Sequence, residues 1–165
     1  MIQGCPGGPD GSRRCGAKCE GITMQMQGSL AVVKVEAVNH PAHYQTAAGI
    51  EAIEVIEKYD LGFCLGSAFK YLTRAGKKSR LTELEDLKKA AWYLKRWRER
   101  PYYSEPAEDV WHWANPVKIV SAFGLSGPRA SAVMYILNSV GVSSPDDQIG
   151  AAIVSVEREI RDATL

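Results

Sequence analysis

Apolar side chains recur at intervals of three and four residues in several stretches of the chain. Residues spaced in this way lie on one face of a helix, so each stretch predicts an amphipathic helix with one buried face. The five predicted helices cover about residues 49–59, 65–75, 83–100, 128–140 and 145–162. We expect the first three to form the core of a helical bundle.

The residues that would face this core form one stripe per helix. In the first helix the stripe consists of Ile50, Ile53 and Ile56. In the next two helices the stripes comprise Leu65, Ala68, Phe69, Leu72, Leu84, Leu87, Ala91 and Leu94. The apolar faces near the C-terminus comprise Val133, Ile136, Leu137, Val140, Ile149, Ile153, Val156 and Ile160.

Residue types at the predicted helix ends support these boundaries. Gly76 follows the second helix, where glycine commonly occupies the left-handed position after the last turn. Thr82 and Glu85 have the spacing of a capping box at the start of the third helix. Ser144 precedes Pro145, which predicts an N-cap followed by proline at the first helical position.

The rest of the chain lacks helical periodicity. Residues 1–29 are rich in Gly, Pro, Ser and Arg and read as a low-complexity, disordered tail. Met24 and Met26 lie near its end, which suggests the hypothesis that translation starts there. Residues 30–38 alternate partially and are rich in valine, which predicts a strand or an extended arm. Residues 102–116 contain prolines and aromatic residues and predict an irregular connector.

The predicted fold class is therefore mainly α. We expect a small helical bundle of three core helices plus two C-terminal helices, with a short N-terminal extended arm or strand. The predicted organisation is a tail (1–29), a helical domain (30–103) and a C-terminal helical extension (104–165).

Composition narrows the setting in which this fold would work. No stretch approaches the roughly 18–20 apolar residues of a membrane span, and the first residues lack the apolar core of a secretory signal. We therefore expect a cytoplasmic protein without a membrane partner. The net charge of +1 conceals a block at 70–100 with eleven basic and four acidic residues, a local charge of +7. Such a block suits a phosphate-bearing ligand or, alternatively, a solvated helix surface.

Two common phosphate-binding motifs are absent from the sequence. The stretch around Gly76 and Lys77 lacks the upstream glycine and the hydroxyl residue of a P-loop, and no G-x-G-x-x-G occurs. Lys70 and Arg74, four residues apart, share a helical face and could contact phosphate as a point charge and a bidentate donor. If phosphates are bound, we expect a different geometry to bind them.

Two pairs of carboxylates are candidates for a metal site. Glu51 and Glu54 stand three apart on the first helix, and Glu83 and Asp86 stand three apart on the third. Two packed helices could bring these oxygens together around Mg²⁺. The pattern E-x-x-E followed by E-x-x-D resembles the all-α nucleotide pyrophosphatases of the MazG type. Exposed charges near helix N-termini are the alternative interpretation.

Two histidines precede the first helix, in the sequence N-H-P-A-H-Y. His43 has a suitable intrinsic pKa for acid–base chemistry, and His40 lies three residues before it. Ordering of the loop through ring hydrogen bonds is an equally good interpretation.

Four motifs together resemble a known family. They are V-N-H-P-A-H-Y (38–44), G-I-E-A-I-E-V-I (49–56), L-G-S-A-F-K-Y-L-T-R-A-G-K-K (65–78) and E-L-E-D-L-K-K-A-A-W-Y-L (83–94). Their order and spacing resemble the SaV-like domain found mainly in bacteriophages and often described as a nucleotide kinase. The resemblance implies phosphorylation of deoxynucleoside monophosphates by a homo-oligomer without a P-loop. The positions that match the family's motifs are Asn39, His43, Tyr44, Glu51, Lys70, Tyr71, Arg74, Gly76, Lys77, Glu85, Asp86 and Lys89.

From these observations we expect a nucleotide-binding cleft between the first three helices. The predicted catalytic residues are His43, Lys70, Arg74 and Asp86. The predicted nucleotide-binding residues are Asn39, His43, Tyr44, Lys70, Tyr71, Arg74, Gly76, Lys77 and Lys89. The predicted Mg²⁺ ligands are Glu51, Glu54, Glu83 and Asp86.

Three other functions remain open at this stage. A non-catalytic protein that sequesters nucleotides and counters host defence would bind the same ligands without turnover. A MazG-like pyrophosphatase would use the carboxylates to activate water. Nucleic-acid binding through the basic block, the least favoured of the three, would depend steeply on salt.

Overall fold

The computed structural model describes residues 41–102 and 114–164, which all belong to one unit of the chain. Within these ranges the chain forms helices, turns and an isolated bridge between Gln45 and Glu51, so the mainly α prediction is confirmed. The six α-helices, numbered here in chain order, are α1 (Ala52–Lys58), α2 (Gly62–Arg74), α3 (Glu83–Glu99), α4 (Pro116–Ala122), α5 (Gly127–Asn138) and α6 (Asp146–Asp162). Short 3-10 turns cover Ala42–Tyr44 and Arg80–Thr82. The predicted tail and extended arm lie outside the described residues, as does Asn39.

Helix α1 is shorter than predicted and buries a different face. It begins at Ala52, where the Glu51 backbone N–H donates to Glu54 Oε2 at 2.8 Å. Ala52, Val55 and Tyr59 are buried, whereas Ile53 is 52% exposed. The predicted isoleucine stripe is therefore wrong at its central residue. The face of α1 that packs on the core is the one that carries Ala52 and Val55, not the one that carries Ile53.

Helix α2 confirms the predicted apolar stripe. All four of its predicted core residues are buried. The helix ends at Arg74, and Gly76 has a φ of 78°, the left-handed conformation expected of a C-terminal glycine. The chain then turns sharply toward α3.

Helix α3 is present, but the predicted capping box at its start is wrong. The Thr82 hydroxyl donates to the Ser79 carbonyl at 3.1 Å instead of capping the helix. Ser79 Oγ accepts the Leu81 backbone N–H at 3.2 Å and so begins the 3-10 turn that precedes α3. The side-chain cap is therefore made by Ser79 at the start of the 3-10 turn, and Thr82 makes none for α3.

The C-terminal part contains three described helices, one more than predicted. Helices α5 and α6 correspond to the two predicted ones, although α6 begins at Asp146 with Pro145 rather than Ser144 as its N-cap. Helix α4 lies partly within the stretch interpreted as an irregular connector. Asn115 Oδ1 accepts the Lys118 backbone N–H at 3.0 Å, and Pro116 occupies the first helical position.

The helices pack around a shared hydrophobic core. Helix α2 packs against α3, α5 against α6, and α3 against α6. Phe69 of α2 meets the ring of Phe123, just after α4, edge to face at 5.6 Å. Core residues therefore come from both sides of the predicted boundary near residue 103, and the division into a domain and an extension stays a prediction. Across the described ranges, no helix combines the length and apolar character that a membrane crossing requires.

Candidate functional site

A nearly buried ion pair joins the end of α2 to the start of α3. Arg74 Nη2 lies 2.6 Å from Asp86 Oδ1, and Arg74 Nε donates to Oδ2 at 3.1 Å. The Arg74 and Asp86 side chains are 14% and 2% exposed. Arg74 lies in the last turn of α2 and Asp86 in the first turn of α3. The helix dipole stabilises a positive charge at a C-terminus and a negative charge at an N-terminus, so both positions favour the charges they carry. The hydrogen bonds to Asp86 raise the pKa of Arg74 above its usual value.

Two tyrosines surround the Arg74 guanidinium. The third N–H bond runs from Arg74 Nη1 to the Tyr44 hydroxyl at 2.8 Å. Tyr44 is presented by the 3-10 turn before α1, in which its backbone N–H donates to the Pro41 carbonyl. The guanidinium carbon also lies 4.8 Å from the centre of the Tyr71 ring. Arginine at this position is thus fixed by one carboxylate and two rings.

Two lysines approach the same Tyr71 ring. Lys70 Nζ lies 4.8 Å and Lys89 Nζ 5.7 Å from the ring centre, both within the range of cation–π attraction. Lys89 also pairs with Glu85 one turn earlier, which raises the pKa of Lys89. The Tyr71 ring also stacks on the ring of Tyr93, with 5.9 Å between the ring centres.

His43 lies at the edge of the same group. Its ring centre is 4.3 Å from that of Tyr44. Partial burial, followed by the positive charges of Arg74 and Lys78, lowers the pKa of His43 from 6.5, against a smaller opposing effect of Asp86. Its neutral form is therefore favoured at neutral pH, where it can accept or donate one hydrogen bond.

Most of the predicted site residues thus come together. We call this group the Arg74 cluster, and its members are His43, Tyr44, Lys70, Tyr71, Arg74, Asp86 and Lys89. Gly76 and Lys77 are directed elsewhere: Lys77 Nζ donates to the Phe123 carbonyl at 2.8 Å and lies 5.1 Å from the Phe123 ring. Lys78, the next residue along the chain, acts instead on His43 of the Arg74 cluster.

The predicted magnesium ligands do not converge in the described part of the chain. Both oxygens of Asp86 accept hydrogen bonds from Arg74, and Glu83 Oε1 lies 2.6 Å from Arg129 Nη2. Glu51 Oε1 accepts the Gln45 amide at 3.1 Å, and Glu54 contacts the start of its own helix. Among the described residues no group of three or more Asp, Glu, His or Cys side chains could hold a metal ion. The side chains present do not fit the predicted Mg²⁺ site, and no step below is assigned to a metal ion held by these carboxylates.

Arg129 is a site-proximal residue that the sequence analysis missed. From α5 it donates to the Ala75 carbonyl at 2.9 Å, and it pairs with Glu83 and with Glu159 of α6. It therefore ties the loop between α2 and α3 to the C-terminal helices. Its contacts lie 30 to 54 residues away along the chain, a separation at which no local pattern connects the partners.

Comparison with known proteins finds one family model and two phage proteins that are similar to part of the chain. Residues 38–95 match the model of a family described as a protein of unknown function (DUF3310). The chain is 50% identical over 62 residues to the gene 1.7 protein of Enterobacteria phage T3, covering 34% of this chain and 38% of the relative. It is 48% identical over 66 residues to the nucleotide kinase gp1.7 of Escherichia phage T7, covering 36% of this chain and 33% of the relative. No solved structure matches.

The family match covers all members of the Arg74 cluster, whereas the two phage matches leave much of each protein unaligned. The chain spans well under half the length of both phage relatives. Similarity to these phage proteins is thus found for about a third of the chain. The narrower assignment to the SaV-like domain is not supported by any of these matches and stays a prediction.

Proposed function

We propose that this chain binds nucleotides at the Arg74 cluster and transfers a phosphoryl group from a nucleoside triphosphate to a deoxynucleoside monophosphate. The observation that carries the proposal is the convergence of Arg74, Lys70 and Lys89 around the Tyr71 ring. The name of the phage T7 relative, nucleotide kinase, supports the same proposal from outside the structure.

The cluster has donors suited to phosphate. Of the five N–H groups of a guanidinium, three of those of Arg74 donate to Asp86 and Tyr44. The other two form no hydrogen bond with a described residue and could bind a ligand, and the guanidinium is held in place by the bonds already made. Preorganised donors of this kind stabilise charge on a transferring phosphoryl group without reorganising during the reaction.

In the proposed reaction the acceptor is already an anion. An oxygen of the acceptor monophosphate attacks the terminal phosphorus of the triphosphate, the bond to the bridging oxygen breaks, and two diphosphates leave. The acceptor oxygen carries no proton that a base must remove, so we assign Lys70, Arg74 and Lys89 to charge neutralisation and positioning. Neutral His43 and Tyr44 are assigned to contact with the base or sugar.

Sequestration of nucleotides without turnover is the second candidate function. Both Asp86 oxygens are engaged by Arg74, so this carboxylate serves to orient the arginine rather than to activate water. A cluster built in this way favours retention of an anion. The pyrophosphatase alternative gains no such support, because its carboxylates are not grouped in the described part of the chain.

Product analysis separates these functions. The full chain is incubated with a triphosphate donor and each of the four deoxynucleoside monophosphates, with Mg²⁺ and with EDTA, and products and retained ligand are resolved by chromatography. New diphosphate that requires both donor and acceptor supports the kinase proposal. Unchanged nucleotides with one retained stoichiometrically would replace it with sequestration, and pyrophosphate release without an acceptor would replace it with hydrolysis.

Two neighbouring lysines provide a matched control. Lys89 lies near the Tyr71 ring, whereas Lys88 is exposed on the adjacent position of α3. We expect Lys89→Gln to weaken nucleotide binding about tenfold, as the loss of one interaction with a charged group implies, and Lys88→Gln to leave it unchanged. Equal effects would indicate general electrostatic attraction rather than a site.

Magnesium and self-association are separate parts of the proposal. We propose that Mg²⁺ enters bound to the triphosphate, so the EDTA arm should abolish transfer but leave monophosphate binding intact. We also propose a homo-oligomer, which sedimentation velocity of the full chain tests directly.

A further inference from the structure

A cavity lies beside the loop that joins α2 to α3. Its volume is about 340 Å³, and it is lined by Ala75, Gly76, Lys77, Arg80, Glu83, Gly124, Leu125 and Arg129. None of the cluster members defined above lines it. The cavity combines the turn after α2 with the loop after α4 and the first turn of α5, so it exists only where the C-terminal helices meet this loop.

The lining is rich in positive charge. Lys77, Arg80 and Arg129 supply three cations, against the carboxylate of Glu83. Glu159 also pairs with Arg129, although it does not line the cavity. With Glu159 included, three cations stand against two carboxylates. Arg80 is exposed, and it forms no ion pair within the described part of the chain.

The cations are also close enough to affect one another. Burial, and after it the charge of Arg129, lowers the pKa of Lys77 below its usual value. An anion bound in the cavity would relieve the repulsion between Lys77 and Arg129.

The chemistry of the cavity differs from that of the Arg74 cluster. The cluster offers the rings of Tyr44 and Tyr71 beside its cations, so it can hold a base as well as a phosphate. Among the described residues, no aromatic ring lines the cavity. Its size and charge suit a chain of phosphate groups, and its described lining offers no ring on which a base could stack.

The loop between α2 and α3 separates the two regions. Lys78 acts on His43 on the side of the Arg74 cluster, whereas Lys77 contacts Phe123 on the side of the cavity. Adjacent lysines of one loop thus serve opposite sides. A reaction between two nucleotides needs two phosphate sites near one another, and this loop brings two cationic regions together.

We propose that the cavity lined by Lys77, Arg80 and Arg129 binds the phosphate groups of a second nucleotide, the triphosphate donor, while the monophosphate binds at the Arg74 cluster. This inference rests on the proposed function for the identity of the ligand. The presence of a phosphate site in the cavity can be tested independently of it.

The test uses inorganic tripolyphosphate, titrated calorimetrically into the full chain at fixed ionic strength. We expect Lys77→Gln and Arg80→Gln each to weaken its binding about tenfold or more, since each removes one charge-assisted hydrogen bond. Lys118→Gln, on the exposed face of α4 and outside both regions, should leave it unchanged. Circular dichroism of each variant establishes that the fold is retained.

Competition identifies the source of the phosphate. ATP should displace tripolyphosphate, whereas deoxynucleoside monophosphates should bind alongside it and depend on Lys70. Failure of the native chain to bind tripolyphosphate, an equal loss in Lys118→Gln, or displacement by monophosphates would overturn the proposal. If tripolyphosphate binding depends on Arg80 but no monophosphate binds, the proposed function fails while the phosphate site in the cavity stands.

Discussion

At the scale of single residues, the structure depends most on a carboxylate that is almost withdrawn from solvent. Asp86 is 2% exposed and is compensated by Arg74. Removal of one partner of a buried pair leaves the other charge uncompensated, which costs several kcal/mol. We expect Asp86→Asn to lower the free energy of unfolding by about 2–4 kcal/mol, measured by urea denaturation.

Glu85 provides the control for this substitution, one position earlier on α3. Its side chain is 60% exposed, and its pair with Lys89 lies in solvent. Exposed pairs contribute little, so Glu85→Gln should change stability by less than about 0.5 kcal/mol. Equal losses in the two variants would show that the Arg74–Asp86 pair has no special structural role.

A second prediction at this scale concerns the titration of His43. Burial and the nearby cations lower its pKa below 6.5, so the unfolded chain binds more protons than the folded chain in the interval between the two values. The stability linked to His43 is therefore complete above pH 6.5 and is lost as the pH falls through the folded-state pKa.

NMR titration of the histidine ring protons measures this value, with the signal assigned from His43→Gln. We expect a pKa below 6.5 in the native chain and a rise toward 6.5 in Arg74→Gln, which removes one of the two positive charges responsible. Lys118→Gln should not move it. A pKa at or above 6.5 in the native chain would contradict the described geometry.

The sequence identified much of the candidate site because the relevant pairs are close along the chain. Lys70 and Arg74 share a helical face through their spacing of four, and Asp86 lies in the first turn of the next helix. The directions of Lys77 and Lys78 could not be predicted, since they depend on a loop without regular periodicity. Arg129 could not be predicted either, because its partners are distant in sequence.

At the scale of elements, the apolar spacing located the helices better than it located their ends or faces. The stripe of α2 was predicted correctly because its four apolar residues lie on a single face of the helix, and that face is the buried one. In α1 three isoleucines competed with Ala52, Val55 and Tyr59, and packing selected the second set. Helix α4 was missed because Asn115 and Pro116, which begin it, are also common in loops. The helix is only seven residues long, too short to show a clear apolar period.

Two helical glycines test how closely α1 and α2 pack. A Cβ added at Gly66 of α2 would lie 2.9 Å from Ile56 Cγ2 of α1, whereas one added at Gly150 of α6 would meet nothing within 4 Å. Alanine is preferred over glycine inside helices by roughly 0.5–1 kcal/mol. We expect Gly150→Ala to raise the free energy of unfolding by about this amount.

Gly66→Ala should instead lower stability by about 1 kcal/mol, because the clash with Ile56 outweighs the gain in helix propensity. Thermal and urea denaturation of both variants measures the difference. Similar stabilisation by the two substitutions would mean that α1 can move away from α2, and would contradict the close packing described above.

At the scale of the whole molecule, the apolar faces of the C-terminal helices indicated that these faces are buried. They did not indicate which other helices cover them. The structure shows α6 packed on α3, and the Tyr59 hydroxyl, on the other side of the predicted boundary, donates to the Ala114 carbonyl at 2.8 Å. Burial raises the pKa of Tyr59 to about 12. Hydrophobic patterns identify surfaces that must be covered, whereas the choice among possible partners depends on the complete fold.

A truncated chain ending at residue 103 tests whether the predicted domain folds independently. This truncation removes α4, α5 and α6. Phe69 would then lose its contact with the Phe123 ring, and the apolar side of α3, where Leu94 and Trp97 are almost fully buried, would become exposed. Each large side chain that loses its burial costs roughly 1.5–3 kcal/mol, and small domains have only about 5–15 kcal/mol of stability. We therefore expect residues 30–103 alone to show no cooperative unfolding transition by circular dichroism, although the full chain should show one. A cooperative transition in the fragment, with retained binding of monophosphates, would instead establish residues 30–103 as an independent nucleotide-binding domain and reduce α4–α6 to an accessory covering.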